Sequence, residues 1–185
     1  MRRAGRNIRA AELSLHKSSF PCMNRLKLPG LLAALLFTAS AGHAQQVKVL
    51  KLPELQKRLA KPSDTTYVVN FWATWCAPCI KELPYFEQAN AAYAGKKVKV
   101  LLVSMDYVSQ LDKKVKPFVL KRGLKSEVLL LNETDPNSWI DKVEPKWSGS
   151  IPFTLMVNNS RQKRAVFERE FTQAELTSEL QKFMK

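Results

Sequence analysis

The chain has 185 residues, of which 45% are hydrophobic and 25% are charged, and this composition is typical of a globular protein and not of a disordered or fibrous one. Its length allows one domain of ordinary size in addition to a short targeting segment. The formal net charge of +14 indicates a solvated basic surface. Because the lysines are scattered without interleaved aromatic residues, we expect no nucleic-acid partner.

The chain opens with a predicted targeting region. A short basic stretch begins at Met23, an apolar stretch covers 28–41, and Gly42-His43-Ala44 supplies a small-x-small pattern. This order is that of a secretory signal peptide at 23–44, with cleavage expected after Ala44. The apolar stretch is shorter than the roughly 20 residues of a spanning helix, so an uncleaved anchor is the less favoured alternative.

The targeting region divides the chain into three parts. Residues 1–22 are Arg-rich and contain Cys22, and we interpret them as a non-native extension upstream of the true start. Residues 23–44 are the signal peptide, and 45–185 form the exported domain. We therefore expect this domain to lie in the periplasm or another extracytoplasmic space, where cysteine pairs stay oxidised.

Strands and helices alternate along the exported domain. Such an order predicts an α/β fold in which a central sheet has helices on both faces. The last two predicted strands are separated by Asn158-Asn159-Ser160, which indicates a hairpin. The predicted strands cover 47–52, 66–72, 97–104, 127–131, 151–157 and 164–171, and the predicted helices cover 53–59, 77–95, 109–122, 136–143 and 172–185.

Two cysteines lie between the end of a buried strand and the start of a helix, in Cys76-Ala77-Pro78-Cys79. The unpaired N–H groups and the dipole of a helix N-terminus favour negative charge, so a thiolate at this point has a lowered pKa. Cys76 is then expected to be the exposed, attacking sulfur and Cys79 the buried, resolving one. A purely structural disulfide is the alternative, but it would close almost no loop.

The remaining composition of 45–185 limits the chemistry further. This part of the chain contains no histidine and only the two cysteines just named. Cys–His catalysis, histidine-ligated metals and attached haem are therefore excluded, and two thiols cannot supply the four ligands of a zinc site. We expect no metal and no cofactor. A module that holds Cu(I) between two thiolates is the alternative from a different functional class.

Three further positions accompany the cysteines. Glu82 lies one helical turn after Cys79 and is either a proton acceptor for that thiol or a solvated glutamate. Asn70 interrupts an apolar strand and is either a satisfied core amide, which we favour, or part of the same proton network. The Ile151-Pro152 pair opens a strand, so its peptide is either an edge-strand start or a cis bond.

At these residues the sequence resembles a known superfamily. The stretch VNFWATWCAPCIKELP at 69–84 resembles the active-site segment of the thioredoxin superfamily, and more closely that of its exported TlpA-like and ResA-like disulfide reductases. The shared features are a tryptophan before the first cysteine, a proline before the second, a glutamate three residues later, and Pro84 within the helix. The stretch GSIP at 149–152 resembles the loop that carries the superfamily's cis-proline.

The resemblance implies roles for individual residues within a thioredoxin fold. It implies that Cys76 is the nucleophile, Cys79 the resolving thiol and Glu82 a proton-relay carboxylate, with no bound cofactor. The residues implied to seat the partner chain are Trp75, Pro78, Ile151 and Pro152.

The resemblance also implies exchange with protein thiols and disulfides. We expect a disulfide reductase, because no basic or histidine residue lies between the cysteines to stabilise the thiolate further, and we expect a membrane-embedded partner to supply its electrons. An oxidase or isomerase is the alternative. The sequence shows no dimerisation segment, and a monomer is the default expectation.

Overall fold

The protein is described by a computed structural model that covers residues 46–185. The predicted upstream extension at 1–22 and signal peptide at 23–44 lie outside these residues. Within them, no helix combines the length and apolar character needed to cross a bilayer.

Six strands and five α-helices make up this part of the chain. The strands are β1 (Lys48–Leu50), β2 (Thr66–Trp72), β3 (Val98–Ser104), β4 (Glu127–Leu131), β5 (Phe153–Asn158) and β6 (Lys163–Phe167). The helices are α1 (Leu52–Leu59), α2 (Ala77–Ala92), α3 (Lys116–Arg122), α4 (Ile140–Val143) and α5 (Gln173–Met184).

The strands form one mixed sheet in the order β1-β4-β3-β2-β5-β6. The first four strands in this order are parallel, whereas β5 runs antiparallel to β2, and β6 antiparallel to β5. The parallel strands β2, β3 and β4 are apolar on both faces, as strands covered by helices on both sides must be. The expected hairpin joins β5 and β6, with Asn158 paired to Lys163.

The core has two layers, one on each face of the sheet. Val68 and Trp72 of β2 point into the layer covered by α2, α3 and α5, while Val69 and Phe71 point into the layer covered by α1 and α4. Successive strand residues face opposite sides, so the apolar strands serve both layers. The predicted α/β sheet with helices on both faces is confirmed.

The segment before α3 differs from the single helix predicted at 109–122. A 3₁₀ turn at Val108–Gln110 and a π-helical turn at Leu111–Val115 precede the α-helix, which begins only at Lys116. Pro117 has no N–H to donate to the preceding turn, and it lies in the first turn of α3, where a missing N–H costs least. Gly123 ends the helix in a left-handed conformation, with φ of 61°.

The last strand is shorter than predicted. It ends at Phe167, which pairs with Thr154, instead of continuing to residue 171. Residues 168–171 leave the sheet because Phe171 turns inward: its side chain is fully buried and packs edge-on against Phe86, with ring centroids 6.4 Å apart. This departure from the sheet brings the segment to the end of the molecule that carries the cysteines.

Candidate active site

The two cysteines lie at the N-terminus of α2, where the sequence predicts them. Cys76 is the N-cap residue, Cys79 is in the first turn, and a disulfide joins the two sulfurs. The N–H of Cys79 donates to Cys76 Sγ at 3.3 Å. No acidic side chain lies in the first turn of α2. The helix end therefore favours a thiolate on Cys76 when the disulfide is reduced.

The expected exposure of Cys76 needs a correction. Cys76 is only 5% exposed, against 0% for Cys79, so it is the more accessible of two buried sulfurs and not an exposed one. It is covered because the loop before β5 lies against it, with Ile151 O 3.7 Å from Cys76 Sγ. Any molecule that reaches Cys76 Sγ must therefore pass close to this loop.

The turn that carries the cysteines is fixed by a buried acid. Asp106, 3% exposed, accepts hydrogen bonds from the Thr74 N–H at 2.9 Å and the Thr74 hydroxyl at 2.6 Å. Ser104 Oγ donates to the same carboxylate at 2.8 Å. Sequence reasoning missed Asp106 and Thr74. Their signal is topological, because they follow the carboxyl ends of β3 and β2, which are neighbouring parallel strands.

Glu82 is fully buried, which rules out the solvated glutamate considered from the sequence. Its carboxylate accepts a 2.7 Å hydrogen bond from Asn70 Nδ2 and another 2.7 Å bond from the Phe171 backbone N–H. Burial raises the pKa of Glu82 to about 7, and the two hydrogen bonds only partly oppose this effect. The carboxyl group can therefore gain or lose a proton near neutral pH.

Asn70 belongs to the surroundings of Glu82. It is fully buried, and its amide nitrogen also lies 3.2 Å from Thr154 Oγ1. Its Oδ1 has no hydrogen-bond partner among residues 46–185. Asn70 is therefore an incompletely satisfied amide that contacts Glu82, and not the satisfied core amide favoured from the sequence.

The loop before β5 contains the second predicted segment. The Ile151–Pro152 peptide is cis, which decides between the two possibilities left open by the sequence. Pro152 is buried and Ile151 is half-buried. Of the other residues implied to seat a partner chain, Trp75 is 67% exposed and Pro78 is also exposed. The predicted residues therefore meet at one end of the sheet.

A cavity that sequence reasoning missed lies beside Trp75. It has a volume of about 500 Å³ and lies where β3 and β4 end, with Leu131 and Trp139 among its walls. Its rim includes three of the five large apolar side chains that are exposed in residues 46–185, namely Trp75, Tyr107 and Val108. Exposed apolar side chains gathered at a cavity mark an interaction surface.

The described residues show no candidate metal centre. Across 46–185, no three side chains of the histidine, cysteine, aspartate or glutamate types lie together in a group that could hold an ion.

The raised pKa of Glu82 predicts how stability depends on pH. The folded protein binds this proton more tightly than the unfolded chain, where the pKa is near its ordinary 4.5. The stabilisation from the neutral carboxyl group is complete below about pH 4.5 and is lost as pH rises through about 7. We expect wild type to lose on the order of 2–3 kcal/mol relative to Glu82→Gln between pH 4.5 and 8.

Denaturant unfolding of both oxidised proteins at the two pH values measures this difference. Glu179→Gln, on α5, is the matched control for replacing a glutamate by glutamine. A gap between wild type and Glu82→Gln that stays constant with pH would contradict the prediction.

Comparison with known proteins gives relatives for part of the chain. A 62-residue segment is 40% identical to thiol-disulfide oxidoreductase ResA of Bacillus thuringiensis strain Al Hakam, covering 34% of each chain. A 115-residue segment is 30% identical to ResA of a Bacillus cereus strain, covering 62% of this chain and 61% of that one. The chain thus spans between about a third and three fifths of the length of these relatives.

The fold has counterparts among solved structures. A thiol:disulfide interchange protein described as a thioredoxin family protein, from Chlorobium tepidum TLS, superimposes with a TM-score of 0.54 and 22% identity, over 66% of this chain and 81% of that one. This likeness confirms the thioredoxin fold. Residues 40–163, more than half of the chain, match the AhpC/TSA family. The chain therefore belongs to the AhpC/TSA family of the thioredoxin superfamily.

Proposed function

We propose that the protein is a thiol–disulfide oxidoreductase that exchanges its Cys76–Cys79 pair with the cysteines of other polypeptides. The observation that carries this proposal is the disulfide at the N-terminus of α2, beside a buried carboxyl group with a pKa near 7. The name shared by the ResA relatives, thiol-disulfide oxidoreductase, agrees with it.

In the reducing direction the exchange has two steps. The Cys76 thiolate attacks one sulfur of a substrate disulfide, so that a bond between Cys76 and the substrate forms and the other substrate sulfur leaves as a thiolate. The Cys79 thiolate then attacks Cys76, which forms the Cys76–Cys79 disulfide and releases the second substrate thiolate. Two electrons pass from the dithiol to the substrate, whose two sulfurs take up protons.

Glu82 fits the role of proton acceptor in the second step. Cys79 is fully buried and must lose its proton before it can attack. Glu82 follows one helical turn later, and its pKa of about 7 lets its anion accept a proton at neutral pH. Asn70 donates a hydrogen bond to this carboxylate and orients it.

Exposed apolar side chains near Cys76 are the observation in favour of polypeptide substrates. Trp75 and Tyr107, 67% and 72% exposed, lie at the rim of the cavity, and Trp75 directly precedes Cys76 in the chain. Burying such side chains favours association with an apolar partner segment. Ile151, whose carbonyl oxygen lies 3.7 Å from Cys76 Sγ, and the adjoining Pro152 would contact the same segment.

We propose the reducing direction, with electrons supplied by a membrane-embedded dithiol partner. The Ala77-Pro78 pair between the cysteines adds no positive charge to stabilise the thiolate, and a less stabilised thiolate makes the dithiol a stronger reductant. Oxidase or isomerase activity is the alternative direction of the same exchange.

We also propose that the protein is exported and acts outside the cytoplasm. The support is the predicted signal peptide at 23–44. N-terminal sequencing of the protein recovered from a host's extracytoplasmic fraction should begin at Gln45. Recovery only from the cytoplasm with residues 23–44 retained would argue against export.

Substitution of the two cysteines is expected to block the reaction at different steps. In a Cys22→Ser background, which leaves only Cys76 and Cys79, Cys76→Ala should abolish the reduction of insulin by the protein because the attacking sulfur is gone. Cys79→Ala should stop turnover but retain a mixed disulfide between Cys76 and the substrate. Non-reducing electrophoresis and mass spectrometry detect this adduct. Undiminished insulin reduction by Cys76→Ala would sink the mechanism.

The direction of exchange is tested by the reduction potential of the Cys76–Cys79 pair. Equilibration with a thiol buffer, followed by the fluorescence of Trp75, which adjoins Cys76, gives this value. A reductase should have a potential near that of thioredoxin, about −270 mV. A potential near about −120 mV would identify a disulfide donor and overturn the reductase assignment, with the site residues unchanged.

A further inference from the structure

The loop that borders Cys76 is anchored on its inner side by an aromatic residue. Trp147, 3% exposed, stacks on Phe153 with ring centroids 4.2 Å apart. Its indole N–H donates a 2.7 Å hydrogen bond to the carbonyl of Ser150, the residue before Ile151. This anchor belongs to the core, so the inner part of the loop is fixed by packing.

A second anchor lies at the surface and comes from the segment that follows β6, which is adjacent to the start of β5. Glu168, the first residue after β6, accepts a hydrogen bond from the hydroxyl of Ser148 and another, at 3.2 Å, from the Ser148 N–H. Ser148 Oγ in turn accepts from the Ser150 N–H at 3.3 Å. Glu168 therefore holds the start of the tight turn that leads into Ile151.

These hydrogen bonds engage the charged form of Glu168. They lower the pKa of Glu168 below its ordinary value, chiefly through the Ser148 hydroxyl. Hydrogen bonds to an ionised acceptor are stronger than those between neutral groups. The contact with Ser148 is therefore present throughout the neutral pH range.

The segment that carries Glu168 also contacts α2. Glu170 forms a 2.6 Å ion pair with Lys81, and the Phe171 N–H donates to Glu82. Residues 168–171 thus contact both the loop and the cysteine helix. Glu168 contacts the loop, and Glu170 and Phe171 contact α2. This segment therefore links the loop to α2, in addition to the core anchor at Trp147.

We propose that Glu168 is a positioning residue that, through Ser148, holds Ile151 and Pro152 beside Cys76 in the orientation that a polypeptide disulfide requires. The inference rests on the proposed exchange function and deepens it, since it names a residue that favours polypeptide over small disulfides. Nothing in the sequence motifs singles out Glu168.

Small disulfides and polypeptide disulfides should depend differently on the position of the loop. A small disulfide needs only access to Cys76 Sγ, whereas a polypeptide must fit the sulfur and the neighbouring loop together. Positioning by the loop can raise the reaction rate only for a substrate whose disulfide the loop also holds in place next to Cys76. Loosening the loop should therefore slow the polypeptide reaction selectively.

The test uses the full chain in its reduced form, with Cys22→Ser throughout. Glu168→Ala should lower the second-order rate constant for insulin disulfides roughly three- to tenfold and leave that for the small disulfide DTNB within about twofold. Glu168→Gln, which keeps one acceptor oxygen, should lower the rate constant for insulin less.

Ser148→Ala should resemble Glu168→Ala, and the double variant should reduce insulin no more slowly than either single variant. Glu179→Ala, whose ion pair with Lys182 lies within α5, is the control.

Several results would overturn the proposal. Unchanged insulin rates in Glu168→Ala, equal losses with both disulfides, or additive losses in the double variant would each do so. If the wild type reduces no polypeptide disulfide, the proposed function is wrong. Amide hydrogen exchange then still tests whether the contact between Glu168 and Ser148 holds the loop. Exchange at Ser148, Gly149 and Ile151 should accelerate in Glu168→Ala, and equal exchange would refute the positioning role.

Discussion

The buried carboxyl group of Glu82 is held by donors from two distant parts of the fold. One is the amide of Asn70 on β2, and the other is the backbone N–H of Phe171 before α5. A carboxylate removed from water is costly unless such donors replace its hydration. The position of α2 over the sheet is therefore tied to two hydrogen bonds as well as to packing, and the first turn of the helix is brought to the end of β2.

The other polar contacts of the site gather at the same end. Asp106 fixes the turn before Cys76, and the loop ending in Pro152 closes over the disulfide. The parallel strands β2, β3 and β4 are otherwise apolar on both faces, and only Asn70 and Ser104 of these strands contribute polar groups to the site. The sheet acts as a rigid base, and its carboxyl end collects side chains from segments that are far apart in sequence. Such support from regular elements keeps reacting groups in place.

The sequence predicted the features that depend on neighbouring residues. The bounds of β2 and β4 follow from continuous apolar runs, and the cysteine turn follows from a motif of four residues. The pattern of strands and helices was sufficient for the sheet and its two core layers, but it does not specify which side chains meet across the fold.

The features that escaped prediction depend on distant partners. Asp106 is recognisable only once β2 and β3 are known to be neighbours, and the contact of Glu168 with Ser148 spans 20 residues. The end of β6 was misplaced because an apolar residue, Phe171, enters the core instead of extending the strand. The low exposure of Cys76 likewise comes from the loop at Ile151, which no spacing near the cysteines reveals.

The hydrogen bond between Glu82 and Phe171 joins residues 89 positions apart. A chain emerging from the ribosome or a translocation channel presents its cysteines long before it presents Phe171. A contact between residues so widely separated carries the entropy cost of closing a long loop, and it cannot form before both residues have been synthesised. The surroundings of Glu82 are therefore complete only once Phe171 has been synthesised, and a chain that ends before this residue carries both cysteines next to a Glu82 that lacks one of its two hydrogen-bond donors.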